Sequence, residues 1–240
     1  MSAQRPSFLG LILARGGSKR LPRKNLLPLA GRPLLAWTVA AATAARHVDR
    51  VILSTDDSEI TAAGREHGAA VPFMRPAELA TDTATTCDVA LHALSTLAAA
   101  GEHYDYLVLL QPTSPLRTAA DIDNAIELLL EKRADAVISV CETDHPAEWS
   151  NTLPADRSMG GFFRPGIRST RSQDLPKSYR LNGAVYVYNC ARLLKTGSLE
   201  MDDNSYAYIM PRERSVDIDS AIDFDIAGLL LERRGTQPTP

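Results

Sequence analysis

The strongest constraint on the fold is the alternation of short apolar runs with longer helical segments over the first 140 residues. The most apolar run, YLVLL, is typical of a central strand that is buried on both faces. The predicted strands lie at 8–14, 50–54, 70–73, 106–110 and 134–140. The predicted helices lie at 33–45, 57–67, 83–100 and 118–132. This order predicts an α/β fold with a doubly wound, mostly parallel, Rossmann-like sheet and right-handed crossovers.

The pattern breaks between residues 143 and 180, where several prolines and glycines occur without a helical period. A structureless connection of this length is uncommon in a compact domain. We therefore predict that residues 143–180, called the insertion below, form a lid, an arm or a dimer contact. A strand at 183–188 and a helix at 221–233 follow it. The predicted organisation is a main domain of residues 1–142 and 181–234, the insertion at 143–180, and a disordered tail at 235–240.

A loop rich in cations leaves the end of the first predicted strand. Five lysines and arginines lie within ten positions, at 15, 19, 20, 23 and 24, beside the pair Gly16-Gly17. Glycines let a backbone approach a ligand closely, and this density of positive charge favours a polyphosphate. The loop matches neither the Walker A motif nor the dinucleotide fingerprint. A solvated basic loop is the alternative reading.

Charge, cysteines and hydropathy exclude several classes of protein. The formal net charge of −3 gives no general attraction for nucleic acid, so the phosphate signal is local. The three cysteines have no zinc or disulfide spacing, which favours reduced thiols and a cytoplasmic protein. We expect no membrane association, because apolar runs fall short of a membrane span of about 18–20 residues.

Two further segments carry candidate ligand groups. Gln111 follows the YLVLL strand, and its amide can pair with a sugar hydroxyl or a base edge. Asp217 and Asp219 alternate along an extended segment, so both carboxylates face one side and suit Mg²⁺. Alternatively, Asp219 caps the following helix. Thr81 or Asp82 could cap the helix predicted at 83–100 in the same way.

Six motifs occur together in order from about residue 11 to residue 226. They read LARGGSKRLPRKN, STDD, RPAELATDTATT, LLQPTSPLR, QDLPKSYRLNGAVYV and VDIDS. In this combination the chain resembles the acylneuraminate cytidylyltransferases, the CMP-sialic acid synthetases and their bacterial relatives. The resemblance implies a cytoplasmic homodimer that joins CTP to a nine-carbon 2-keto sugar acid, a nonulosonic acid, and releases pyrophosphate.

The resemblance also implies a role for each matching residue. Those expected at the nucleotide are Arg15, Gly16, Ser18, Lys24, Asn25, Arg75, Thr86 and Gln111. Those expected at the sugar are Gln111, Arg171, Tyr186 and Asp219. Asp217 and Asp219 are the expected Mg²⁺ ligands, and the expected catalytic groups are Arg15, Lys24 and Asp219. Asp219 or a metal-bound water is the candidate base.

Departures from the family pattern fall in the insertion. Ala147, Glu148 and Trp149 follow His145-Pro146, where sialate-specific relatives carry a basic residue, and Ser172 stands where relatives often have Arg. N-acetylneuraminate, legionaminate and pseudaminate are all compatible with this sequence. Another sugar acceptor, or a catalytically silent nucleotide-binding protein, is the alternative function.

Overall fold

A computed structural model describes residues 5–163, 165–167 and 170–236, with the backbone alone at 235 and 236. Its main sheet has six strands in the order β4-β1-β5-β7-β6-β8. The strands are β1 (Phe8–Leu13), β4 (Arg50–Ser54), β5 (Tyr106–Leu110), β6 (Ala136–Glu142), β7 (Tyr179–Asn189) and β8 (Ser205–Ile209). β2 (Pro28–Leu29) and β3 (Arg32–Pro33) form a separate antiparallel ribbon.

The sheet is parallel except for β7, which pairs antiparallel with both β5 and β6. This confirms the predicted mostly parallel α/β fold. The carboxyl ends of β1, β4 and β5 therefore meet at one edge of the sheet, where ligands bind in open α/β folds.

Helices cover both faces of the sheet. They are α1 (Leu34–Thr43), α2 (Ser58–Glu66), α3 (Thr86–Ala99), α4 (Ala119–Lys132), α5 (Cys190–Thr196) and α6 (Ala221–Thr236). One buried cluster includes residues of α1 and α4, and a second includes residues of α3 and α5 on the opposite face. A third cluster joins α6 to the ribbon through Leu29 and Ala227. The cavity described below thus lies at the edge of a sheet that is packed on both faces.

Helix starts show which polar residues are committed to the fold. Asp57 caps α2 by accepting from two backbone amides, and Thr85 caps α3 in a reciprocal capping box with Asp88. The suggestion that Thr81 or Asp82 caps α3 is therefore wrong, because the helix begins later than predicted. The carboxylate of Asp82 is left for other contacts.

Three predicted elements differ in the structure. Residues 70–73 do not form a strand; Ala70 makes only an isolated bridge to Ile52. β7 begins at Tyr179, before the predicted start at residue 183, and Asn182-Gly183 lie inside the strand at a register shift. α6 continues to Thr236, past the start of the predicted tail, and residues 237–240 lie outside the described residues.

The connection between β6 and β7 falls within the predicted insertion. It contains two short 3₁₀ turns, Ala147–Trp149 and Ser172–Asp174, in the described part of the chain. Trp149, Leu153 and Met159 expose large apolar side chains along it. The dimerisation role of this segment remains a prediction.

Candidate active site

A cavity of about 620 Å³ opens at the edge where β1 and β5 end. Its walls include the loop after β1, the start of α3, Gln111 after β5, and the segment before α6. Eight residues expected from the sequence line it: Arg15, Ser18, Lys24, Asn25, Thr86, Gln111, Tyr186 and Asp219. With Tyr186 on β7, the fold thus brings five distant parts of the chain to one site.

The basic loop, residues 14–25, is braced by its own polar groups. The amide of Gly16 donates to Asp56 Oδ1 at 3.0 Å, and the Asn25 side chain donates to the Arg15 carbonyl at 3.0 Å. A Cβ on Gly16 would lie 2.7 Å from Asp57 Oδ2, so a larger residue here would have to displace the Asp57 side chain. Gly16 therefore supports the loop beside the cavity, and its amide is already used by Asp56.

The five cations of the basic loop meet carboxylates from other segments. Arg15 and Lys19 contact Asp82, with Arg15 Nη2 2.9 Å from Asp82 Oδ1. Arg20 Nη1 lies 2.9 Å from Asp219 Oδ2, and Lys24 Nζ lies 3.6 Å from Asp219 Oδ1. Arg23 pairs with Asp57 and Glu59 at the start of α2. All but Arg23 line the cavity, and so do their partners Asp82 and Asp219.

Lys24 is the cation of the basic loop held most firmly against the cavity wall. Its ammonium donates to the Ile218 carbonyl at 2.6 Å, and its side chain is only 14% exposed. Ile218 is itself buried, and its amide donates to the Thr113 carbonyl at 2.8 Å. Lys24, Thr113 and the two aspartates that flank Ile218 are thereby joined in one unit.

Asp217 and Asp219 make different contacts. Burial raises the pKa of Asp217, the Asp219 charge raises it further, and Thr113, Lys24 and Arg180 oppose the rise. Asp219 lines the cavity and contacts Arg20 and Lys24, whereas Asp217 is absent from the lining. Ser220 and Asp223, which bond to each other, form the start of α6, so the capping reading of Asp219 is wrong.

Asp217 and Asp219 supply carboxylate oxygens, the donor type that suits a magnesium ion. Within the ranges that the structure describes, no group of three or more histidine, cysteine, aspartate or glutamate side chains is arranged to hold a metal. Mg²⁺ needs fewer, since it commonly uses one or two carboxylates together with substrate phosphates and water. Burial is the main cause of the raised pKa of Asp217, and a cation between Asp217 and Asp219 would offset the smaller contribution from their mutual repulsion.

Gln111 is held in place by β7 and by a buried arginine. Gly183 has φ of +69°, and a Cβ there would lie 2.9 Å from Gln111 Oε1. Arg117 donates to the Ala184 carbonyl at 2.7 Å and to the Gln111 carbonyl at 3.3 Å. Burial lowers the pKa of Arg117 to about 9. The last residue of the PTSPLR run thus supports Gln111 from inside the protein.

A buried polar network around Asn182 was missed by the sequence analysis. Its side chain accepts from Ser139 at 2.6 Å and donates to Ser215 at 3.0 Å. The network ties β6 and β7 to the segment that carries Asp217. Nothing local in the sequence shows that β7 is irregular at Asn182 or that this side chain meets two serines.

Four expected site residues lie outside the cavity lining: Gly16, Arg75, Arg171 and Asp217. Arg75 is buried and donates to the Ser54 carbonyl at 2.5 Å, and burial lowers its pKa to about 10. Arg171 is exposed and pairs with Asp174 at 2.8 Å. Their proposed contacts with substrate remain predictions.

The comparisons with known proteins agree with this arrangement. Residues 9–157 match the family model described as cytidylyltransferase. The CMP-N,N'-diacetyllegionaminic acid synthase of Legionella pneumophila is 31% identical over 94% of this chain and 96% of its own length. The N-acylneuraminate cytidylyltransferase of Escherichia coli is 35% identical over 97% of this chain, which spans only 54% of that protein.

Structural similarity extends over the whole fold. A solved CMP:2-keto-3-deoxy-manno-octonic acid synthetase complexed with CTP superposes with a TM-score of 0.71 at 17% identity. The match covers 95% of this chain and 99% of the other. The family model and the sequence relatives, together with the six motifs, establish that the chain belongs to the cytidylyltransferase family.

Proposed function

We propose that this chain transfers the cytidylyl group of CTP to a nonulosonic acid, giving a CMP-sugar and pyrophosphate. The observation that carries the proposal is the convergence of the basic loop, Gln111 and Asp219 on one cavity. The names of the two sequence relatives support both the nucleotide and the class of sugar acid.

In the proposed reaction the anomeric 2-hydroxyl oxygen of the sugar attacks the α-phosphorus of CTP. A new oxygen–phosphorus bond forms, the bond from the α-phosphorus to its bridging oxygen breaks, and pyrophosphate leaves. Arg15 and Lys24 offset the negative charge that develops on the leaving group. Asp219, which lies on the cavity wall, is the carboxylate that we assign to accept the hydroxyl proton.

Asp217 and Asp219 would hold Mg²⁺, which offsets phosphate charge and orients the reacting groups when it is bound. Asn25, Thr86 and Gln111 would position the nucleoside, and Tyr186 would face the sugar. Burial raises the pKa of the Tyr186 hydroxyl, which therefore stays protonated and can donate to a sugar oxygen. Most of the contribution of the protein is thus positioning and charge neutralisation.

We further propose that the enzyme works as a homodimer in the cytoplasm and that the insertion mediates dimer formation. The exposed apolar side chains of the insertion support this role. In the described residues no helix is both long and apolar enough to cross a membrane.

The test incubates the protein with CTP, Mg²⁺ and a panel of 2-keto sugar acids, and identifies products by mass. N-acetylneuraminate, legionaminate and pseudaminate form the panel, and an eight-carbon 2-keto acid serves as the acceptor control. We expect a CMP-nonulosonate with one equivalent of pyrophosphate. Failure to release pyrophosphate with every acid would contradict the proposal, and activity with the eight-carbon acid alone would reassign the acceptor.

A further inference from the structure

Two acidic residues form ion pairs with the four cations of the basic loop that line the cavity. Asp219 pairs with Arg20 and Lys24, and Asp82 pairs with Arg15 and Lys19. Asp219 already has a proposed role in the reaction. Asp82 has none, although it lines the same cavity.

The contacts of Asp82 are confined to these cations. Among the residues that the structure describes, its carboxylate pairs only with Arg15 and Lys19, and these two cations lower its pKa through hydrogen bonds and charge. By contrast, Asp57 accepts from two backbone amides of α2 while it pairs with Arg23. If the Asp57 side chain moved away from Arg23, α2 would lose its cap. Asp82 can move away from Arg15 and Lys19 without the loss of a helix cap.

Arg15 is held by two contacts with the segment that carries Asp82. Its Nη1 donates to the Thr81 carbonyl at 2.8 Å, and its Nη2 lies 2.9 Å from Asp82 Oδ1. The buried guanidinium of Arg75 lies within electrostatic reach of Arg15, and the two repel. A carboxylate on Arg15 therefore offsets unfavourable charge while no phosphate is bound.

We propose that Asp82 is an internal counter-anion, which holds Arg15 and Lys19 while the phosphate site is empty and releases them to the polyphosphate of the nucleotide. The inference rests on the proposed function in one respect, that the basic loop binds the triphosphate. Asp82 then sets nucleotide affinity, because each phosphate contact with these cations replaces an existing ion pair. Movement of Arg15 to a phosphate would also break its contact with the Thr81 carbonyl, five residues before Thr86 at the cavity wall.

The expected magnitude follows from exposure. Asp82 is 45% exposed, and Arg15 and Lys19 are 35% and 80% exposed. An exposed ion pair changes an equilibrium constant by up to about fivefold. Loss of both pairs should therefore tighten phosphate binding about three- to tenfold, and the effect should shrink at high salt.

The test is calorimetric titration of the full chain with inorganic pyrophosphate in EDTA, so that no metal contributes. Asp82→Asn should bind pyrophosphate about three- to tenfold more tightly than the wild type, and Asp82→Glu, which keeps the charge, should bind within twofold of it. Asp202→Asn is the matched control. Asp202 pairs with Arg192, which is 35% exposed like Arg15, but neither residue lines the cavity, so pyrophosphate binding should not change.

A double-mutant cycle separates ion-pair exchange from a general change in net charge. Lys19→Ala should weaken binding more in the Asp82→Asn protein than in the wild type, because only there is Lys19 free of its carboxylate. If the wild type binds pyrophosphate and Asp82→Asn binds it equally well or more weakly, the role of Asp82 is refuted but the phosphate role of the basic loop is not. A wild-type protein that does not bind pyrophosphate overturns the phosphate role of the basic loop and this inference with it.

Discussion

Replacement of Lys24 by methionine tests how strongly burial amplifies a charge at this site. The side chain of Lys24 is 14% exposed and that of Arg20 is 76% exposed, yet both contact Asp219. Near a protein surface, two unit charges about 4 Å apart interact by about 4 kcal/mol, against about 1 kcal/mol in bulk water. Lys24 should therefore stabilise charge on the leaving pyrophosphate several times more strongly than Arg20 does.

These energies convert directly into rates. A barrier that rises by about 3–4 kcal/mol lowers kcat about 10²–10³-fold, and about 1 kcal/mol corresponds to about fivefold. We expect the larger loss for Lys24→Met and the smaller for Arg20→Met. Steady-state release of pyrophosphate at saturating CTP and sugar acid measures both.

Stability is the control for this comparison. Lys24→Met removes a charge-assisted hydrogen bond to the Ile218 carbonyl, which contributes about 1.5–3 kcal/mol. For a chain of this size Tm should fall by about 3–10 °C, which leaves the protein folded at 25 °C. Activity of Lys24→Met within tenfold of the wild type, or an equal loss in Arg20→Met, would refute the argument from burial.

Three further predictions follow from particular contacts. Asp217→Asn should abolish Mg²⁺-dependent turnover, yet raise Tm in EDTA at pH 7. Burial raises the pKa of Asp217 in the folded state, so its ionisation lowers stability as the pH rises through that pKa; the gain in Tm should vanish below about pH 3.8, the unfolded value. Gly183→Ala should displace Gln111 and so lower kcat/KM, with a loss of stability of about 1–2 kcal/mol. Gly197→Ala is the control: Gly197 has φ of +63° and no neighbour within 4 Å, so its substitution should lower stability but not kcat/KM. Arg171→Ala should raise the KM for the sugar acid and leave the KM for CTP unchanged, as steady-state kinetics will show; a change in the KM for CTP alone would contradict a sugar-binding role.

The sequence was sufficient for the elements whose signals are local. Continuous apolar runs indicated β1, β4 and β5, and the helical segments predicted between them correspond to α1, α2, α3 and α4. β8 and α5 were missed. The alternating tyrosines of SYAYI are a strand signal that could have indicated β8, and the Asn cap of α5 precedes only seven helical residues. Short elements of this kind carry too few residues for a period to stand out.

The interior of the site could not be read in the same way. Asn182, Ser139 and Ser215 are polar residues of ordinary type, and only their burial together makes them a network. The position of Asn182 in β7 depends on a register shift against β6. A bulge depends on how two strands pair, so it cannot be predicted from the sequence pattern of either strand by itself.

The ion pairs of the basic loop could not be predicted from the sequence either, because their partners come from distant parts of the chain. Density of positive charge was enough to predict a phosphate site, because it is a property of ten consecutive residues. Which carboxylate meets which cation is a property of the sheet edge. Arg20 and Asp219 are 199 positions apart, and Asp82 pairs with Arg15 from a position that precedes the Thr85 cap of α3. An acidic residue that the sequence assigned to a helix cap thus becomes a competitor for the substrate once the helix start is known. The affinity of such a site therefore depends on its internal anions as much as on its cations, and substitutions of either charge should be compared on metal-free pyrophosphate before they are compared on turnover.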